Sequence, residues 1–373
     1  MESSSSPLCS TISAASLPNP SLPLSPSPMV SSGSPSVVYD HRKSESIIYY
    51  AKKQHRTDIR PRNWSKNSYF KSSLCEHALT LISTVPYLDR SLSTVEEFYS
   101  LYEKAGIPVI LRGWIDDWPA FSEWTLEKLE KNYKRSSFKV GEDDDGHRIK
   151  MRMKYFMDYL RHQQDDSPLY LFESAVEERI STSKLLKDWQ VPDVFPFDLH
   201  GLLGEEMRPP YRWFCIGPKR SGSSIHIDPM GTSAWNALIQ GYKWWVMCPS
   251  GTDKTIVKGK HLWKEGEADE AIVWFDKILP RIKATYPQVK FLEVVQKAGE
   301  VIFVPPGWWH AVLNLNDSIS CTQNFVSPAN FDLAWICARQ SRPKLAYVWL
   351  NRLKYFLPEL HARAVYLNEC VCS

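Results

Sequence analysis

From Pro168 to Phe325 the chain reads as a succession of short apolar runs, each closed off by turn residues. They are Leu169–Phe172, Arg212–Ile216, Ser224–Asp228, Ala234–Ile239, Lys243–Cys248, Phe291–Gln296, Glu300–Val304, His310–Leu315 and Ile319–Phe325. Evenly punctuated short strands predict a β-sandwich, jelly roll or barrel. There is no P-loop and no GxGxxG, and Gly251-Thr-Asp-Lys-Thr lacks the second glycine of a phosphate loop. A helical insertion is expected at Asp269–Leu279, and three short helices at Asp332–Arg339, Lys344–Phe356 and Leu360–Leu367.

Upstream, the strand series has support of a different kind. Residues 1–37 hold 14 Ser and seven Pro, one charge at Glu2 and no aromatic ring. Such a segment cannot bury enough apolar surface to offset its ordering entropy and reads as disordered. A basic stretch from Arg42 to Lys71 is either a solvated linker or an import or nucleic-acid patch, so residues 38–87 form an approach segment. Order is expected from about residue 88, with a capping box at Ser93 and Glu96 and a stop at Gly106. Further helices are expected at Thr125–Tyr133 and Lys154–Arg161. Two strands, Phe138–Val140 and Ile149–Met153, flank an acidic turn that reads as a hairpin loop. The folded body spans 88–330, and the C-terminal helices 331–373.

Composition excludes several classes. No apolar run approaches the roughly 20 residues of a membrane-spanning helix. The net charge is only +3, which does not select nucleic acid or an anionic membrane. Eight cysteines without a CxxC pair favour reduced, buried thiols over a disulfide framework or a structural zinc site. Aromatic residues make up 13 % of the chain, and eight of the 15 Trp fall between Trp213 and Trp309. They are expected to line a core or a pocket.

The chemistry-bearing residues lie in that same stretch. In Ile225-His226-Ile227-Asp228-Pro229, positions two apart on a strand share a face, so His226 and Asp228 point together while Ile225 and Ile227 turn to apolar packing. Alone, His-x-Asp is also the pattern of a surface pair. Residues 299–310 form a hydrophobic strand, a Pro-Pro-Gly turn and then His310, framed by Trp308 and Trp309. By itself His310 reads as a core histidine bonded to backbone. Together, two histidines and a carboxylate from separate strands match the facial triad that leaves open positions on iron(II). Lys243, flanked by Trp244 and Trp245, is either a snorkelling lysine or a half-buried ammonium in need of an anion. The other histidines lack such a framework.

Residues from about 93 to 350 resemble the jumonji-C (JmjC) iron(II)/2-oxoglutarate oxygenases, in particular their branch of bifunctional arginine demethylases and lysyl hydroxylases. The resemblance rests on the run Arg220-Ser-Gly-Ser-Ser-Ile-His-Ile-Asp-Pro-Met-Gly-Thr-Ser-Ala-Trp-Asn-Ala-Leu-Ile-Gln-Gly-Tyr-Lys243. Asp165-Asp-Ser-Pro-Leu-Tyr170, Arg208-Pro-Pro-Tyr-Arg-Trp213 and Thr322-Gln-Asn-Phe325 add to it. It implies a mainly β fold with helices: a double-stranded β-helix (jelly roll) core with N-terminal helix and strand additions and a C-terminal helical segment. It implies iron ligation by His226, Asp228 and His310. It also implies that 2-oxoglutarate chelates that iron, with Lys243 and Thr322 receiving its far carboxylate and Asn236 and Tyr170 completing the pocket. Ser223 stands where the family commonly has Thr; its hydroxyl keeps the contact to co-substrate or substrate.

The implied activity uses O2 to oxidise C–H bonds of a basic protein, such as a histone tail or an Arg/Lys-rich RNA-processing factor, in the nucleus, with the cytoplasm as the alternative. Hydroxylation of lysine and demethylation of N-methylarginine need the same chemistry and stay unseparated at this level. The alternative from another class is a catalytically weak JmjC shell that binds RNA or chromatin. The C-terminal helices are either a homodimer face or a cap on the barrel.

Overall fold

The computed structural model describes residues 41–370, so the Ser/Pro-rich stretch 1–37 with Cys9, and Cys372, lie outside the described residues. Thirteen strands are described. In chain order they are β1 (Tyr87–Asp89), β2 (Val109–Arg112), β3 (Ser137–Glu142), β4 (Arg148–Arg152), β5 (Leu171–Glu173), β6 (Arg212–Gly217) and β7 (Gly222–His226). Then follow β8 (Ser233–Gln240), β9 (Tyr242–Cys248), β10 (Leu292–Lys297), β11 (Glu300–Val304), β12 (Trp309–Asn314) and β13 (Ser318–Phe325). A seven-stranded sheet has the order β1-β2-β11-β8-β13-β6-β5 and a four-stranded sheet the order β10-β9-β12-β7, while β3 and β4 form a separate hairpin. The chain crosses repeatedly between the two larger sheets, as a jelly roll does.

Alternation along the strands explains why they read as almost continuously apolar. On β9, Trp244, Val246 and Cys248 pack against the helical insertion, while Trp245 and Met247 face the interior between the sheets. On β11, Val301 and Phe303 meet the N-terminal support, and Ile302 and Val304 turn inward. Both faces are covered, so the period-2 signal is masked by apolar residues on each side. The insertion lies behind the small sheet and its last helix runs on to Thr285, past the expected end at Leu279. Of the eight clustered tryptophans, Trp244, Trp263, Trp274 and Trp309 belong to this outer layer rather than to the interior.

The solvated-linker expectation for residues 38–87 is corrected in its described part. His41–His55 is a helix. Ser44 bonds Asp158, Lys52 pairs with Asp165 at 2.6 Å, and the His55 ring bonds the Glu142 carbonyl at 2.7 Å. Asp166 accepts from the backbone N–H groups of Asn67 and Tyr69 at 2.7 and 2.8 Å. Lys52 and Arg56 therefore meet carboxylates distant in sequence, Asp165 and Glu270, which composition cannot foresee. The capping box also shifts by one residue: Thr94 and Glu97 form it, not Ser93 and Glu96. The acidic turn is a loop whose Asp143 carboxylate accepts from Asp145 and His147 N–H, as the hairpin reading requires.

At the other end, helices Phe331–Ser341, Pro343–Phe356 and Pro358–Cys370 form a small core of their own. Trp335, Trp349 and Leu353 pack with Leu199 and Leu203, and Trp349 Nε1 donates to the Leu199 carbonyl at 3.1 Å. Asn330 Nδ2 donates to the Gly231 carbonyl at 3.0 Å, and a Cβ at Gly231 would lie 3.0 Å from the Ala334 nitrogen. These helices thus cap the barrel where the chain leaves β7.

Candidate metal and co-substrate site

The interior between the sheets is apolar at one end and polar at the other. β7 and β12 run antiparallel with His226 opposite His310, and their rings are 4.2 Å apart between centroids. Asp228 does not belong to the strand, as expected from sequence, but follows it. Its backbone stays extended (φ −62°, ψ 142°) before the turn Pro229–Gly231, which keeps its carboxylate on the side of His226. Ile225 is buried as expected; Ile227 is not, with 36 % exposure, because the strand ends before it.

The Asp228 carboxylate oxygen lies 3.9 Å from His226 Nε2 and 3.8 Å from His310 Nε2. Both separations are too long for hydrogen bonds. Each ring instead uses Nδ1 against a carbonyl: His226 against Ser224 at 2.8 Å, and His310 against Trp308 at 3.1 Å. A ring that donates through Nδ1–H carries a lone pair on Nε2. Burial, and then the neighbouring His310, push the His226 pKa down to about 4, so it is neutral at pH 7. Two imidazole lone pairs and a carboxylate thus converge within 4.8 Å. This donor set fits a divalent first-row cation that keeps open positions for other ligands.

One cavity of ≈ 280 Å³ contains these three side chains together with Tyr170, Ser223, Asn236, Lys243 and Thr322, so every site residue expected from sequence lines it. Lys243 is buried at 1 % exposure, not half-buried as expected. Its Nζ donates to Tyr170 Oη at 3.1 Å, no carboxylate lies within ion-pair distance among the described residues, and burial lowers its pKa to about 8. A cation held dry without an anion is costly unless a ligand supplies one. The Asn236 side-chain oxygen, also buried, has no hydrogen-bond partner. Thr322 faces Asn236 across the β8–β13 pair, but its hydroxyl donates to the Trp235 carbonyl at 2.7 Å. Turned this way it offers no proton to a carboxylate, so Lys243 carries the far end of the cavity.

Ser223 and His226 are three residues apart and by strict alternation belong on opposite faces. A bulge between them, where two steps of β12 match three of β7, brings both into the cavity. Gly222 permits this close approach, since a Cβ there would sit 2.0 Å from the Val312 carbonyl oxygen. Sequence reasoning missed Phe172 and Asn324, which also line the cavity. Asn324 was legible as the residue two beyond Thr322 on one strand face, whereas Phe172 arrives through the tertiary fold.

Residues 213–325 match the family described as JmjC domain, hydroxylase. The bifunctional arginine demethylase and lysyl-hydroxylase psr-1 of Caenorhabditis briggsae is 40 % identical over 324 residues, covering 86 % of this chain and 81 % of the relative. The chain belongs to the JmjC family. Arginine-specific demethylase JMJ22 of Arabidopsis thaliana is 40 % identical over 242 residues, 64 % of this chain and 45 % of that protein. The 2-oxoglutarate and iron-dependent oxygenase JMJD4 of Homo sapiens is 32 % identical over 125 residues, 34 % of this chain and 29 % of its own. The JmjC match begins at Trp213 and ends at Phe325, so it contains the two histidines, Asp228 and Lys243 but not Tyr170, which precedes it.

Proposed function

We propose that this chain is an iron(II)- and 2-oxoglutarate-dependent oxygenase that hydroxylates C–H bonds of basic protein side chains, with His226, Asp228 and His310 holding the metal. The observation that carries this reading is the junction, in one cavity, of two free Nε2 lone pairs and a carboxylate with a buried ammonium that lacks an anion. The bound metal and 2-oxoglutarate supply the oxidation, in which one oxygen atom of O2 goes to the C–H carbon and the other to succinate, with release of CO2.

The protein's own residues bind and orient. Lys243 receives the distal carboxylate of 2-oxoglutarate, and Tyr170, its hydrogen-bond partner, fixes the ammonium in place. The Asn236 amide and the Ser223 hydroxyl line the wall between that carboxylate and the metal. Phe172, Trp213 and Trp245 exclude water from the substrate carbon. If a lysine methylene is presented, the alcohol is the product. If an N-methyl group of arginine is presented, the hydroxymethyl product loses formaldehyde. Both outcomes fit the named activities of the relative from Caenorhabditis briggsae.

Succinate release with iron(II), ascorbate, 2-oxoglutarate and lysine- or methylarginine-containing histone peptides tests the reading. His226→Ala should abolish turnover, and equal turnover in both proteins overturns the metal assignment. Mass spectrometry of the peptides then separates a gain of one oxygen atom from the loss of a methyl group. Pairing of two copies through the C-terminal helices is a further part of the proposal, supported by the exposed Tyr347, Tyr355 and Phe356 on the outside of the cap. Light scattering at two concentrations tests it, and a monomer at both removes it. Nuclear residence is proposed from the resemblance alone and is tested by imaging the full chain.

A further inference from the structure

The metal cavity does not end at its own walls. Pro210, Pro229 and Asn324 also line a second cavity of ≈ 380 Å³, and that one shares Arg208, Ser341 and Arg342 with a third of ≈ 440 Å³ at the corner between two C-terminal helices. Shared lining residues make the three cavities neighbours in a row that leads away from the metal, and this row is termed the groove. Its charge is one-sided. Arg208 and Arg342 line the second cavity, Lys344 joins them in the third, and no lining residue of either is acidic.

Arg208 is held from behind by Asp198 and stacks on Tyr211, its guanidinium carbon 3.1 Å from the ring centroid. Its Nε is buried without a partner. His200, 3 % exposed on the same wall, also keeps a buried Nε2 without a partner. Arg342 forms no ion pair among the described residues. Two of the buried side-chain polar atoms that lack a partner thus fall on one wall of the second cavity.

We propose that this groove binds the substrate polypeptide beyond the modified residue and selects an anionic group there, a carboxylate or a phosphate. The inference rests on the proposed protein-hydroxylase reading. A side chain that enters the metal cavity leaves its backbone at the Pro210–Pro229–Asn324 rim, where the groove begins. Arg342 and Lys344 give the attraction, and Arg208, braced by Asp198, gives fixed donors. A uniformly basic peptide would meet like charge along the same path.

The test uses the full chain with manganese(II) in place of iron(II) and with 2-oxoglutarate, so that binding is read without turnover. Labelled lysine peptides, identical except for one flanking residue set to Glu, phosphoserine, Ser or Lys, are titrated by fluorescence anisotropy, and the flank is scanned on both sides of the target. Glu and phosphoserine within one window should bind about tenfold more tightly than Ser, with a gap that shrinks in salt. Arg342→Glu, at an exposed position, should erase that preference, and Arg342→Lys should keep it. A preference for phosphoserine alone assigns the groove to phosphate, whereas an equal one assigns it to any anion.

Equal binding of all four peptides, no binding of any, or a preference that survives Arg342→Glu overturns the inference. Parallel iron(II) assays separate the two claims. Peptides modified without a flank preference end the groove proposal and leave the hydroxylase reading standing; a flank preference in binding without any modification keeps an anion-selecting groove but ends the hydroxylase reading and, with it, the substrate role proposed for the groove.

Discussion

Lys243 offers the sharpest test, because the fold holds it in an unfavourable state that a ligand should relieve. Its ammonium is fully buried and its pKa is lowered to about 8, against about 10.4 for a lysine in the unfolded chain. The unfolded state therefore binds more protons between those two values, and stability rises with pH across that window. Below pH 8 the whole penalty is present, roughly 3 kcal/mol. Lys243→Met, similar in length and uncharged, removes that penalty together with the hydrogen bond to Tyr170 Oη. The variant without ligand should then be as stable as the native protein or more so at pH 7, a result opposite to that of most core substitutions. The native protein should be stabilised by 2-oxoglutarate, with affinity flat below pH 8 and weaker by about tenfold per pH unit above it, since binding must first restore the proton. The variant should show no 2-oxoglutarate stabilisation at any pH. Urea unfolding with and without 2-oxoglutarate, from pH 6.5 to 9.5, measures all of this. Loss of a few kcal/mol in ligand-free Lys243→Met with an intact 2-oxoglutarate shift would refute the argument.

Thr322→Val, because the hydroxyl proton is committed to the Trp235 carbonyl, should raise the KM for 2-oxoglutarate only a few-fold, far less than Lys243→Met. A comparable loss in both would show that Thr322 turns towards the ligand. Gly222→Ala drives a Cβ into the Val312 carbonyl oxygen and should cost at least about 2 kcal/mol in urea unfolding, with weaker metal binding because the bulge must open. Lys52→Ala leaves the buried Asp165 carboxylate without its counter-ion, still bonded by Tyr159 Oη, and should destabilise the whole folded unit by about 3 kcal/mol in a single transition. An unchanged midpoint would mean that the segment from residue 41 adds nothing to the body.

The regularities legible in sequence were local ones. Most strand limits fall within a residue or two of expectation, since Gly and Pro end strands through backbone geometry that each residue carries with it. His226 and Asp228 could be placed on one side because the chain stays extended through Ile227, although the strand itself stops short. The bulge that turns Ser223 inward was not legible, because it depends on β12 lying alongside. Nor was the ordered helix His41–His55, whose Lys52 looks solvated until Asp165 is brought to it.

By itself, the sequence determined the donor types of the candidate metal site, the strand-and-turn rhythm and, by resemblance, the residues that share a cavity. Each of these is a property of a short stretch or of a pattern shared with relatives. Only the tertiary structure decided that Lys243 is dry and lacks an anion, that Thr322 is turned away, and that Arg208, Arg342 and Lys344 line the cavities next to it. Burial and charge balance depend on what other segments bring to a site. Those segments, from Tyr170 to Lys344, meet only when the two sheets close and the C-terminal helices cap them.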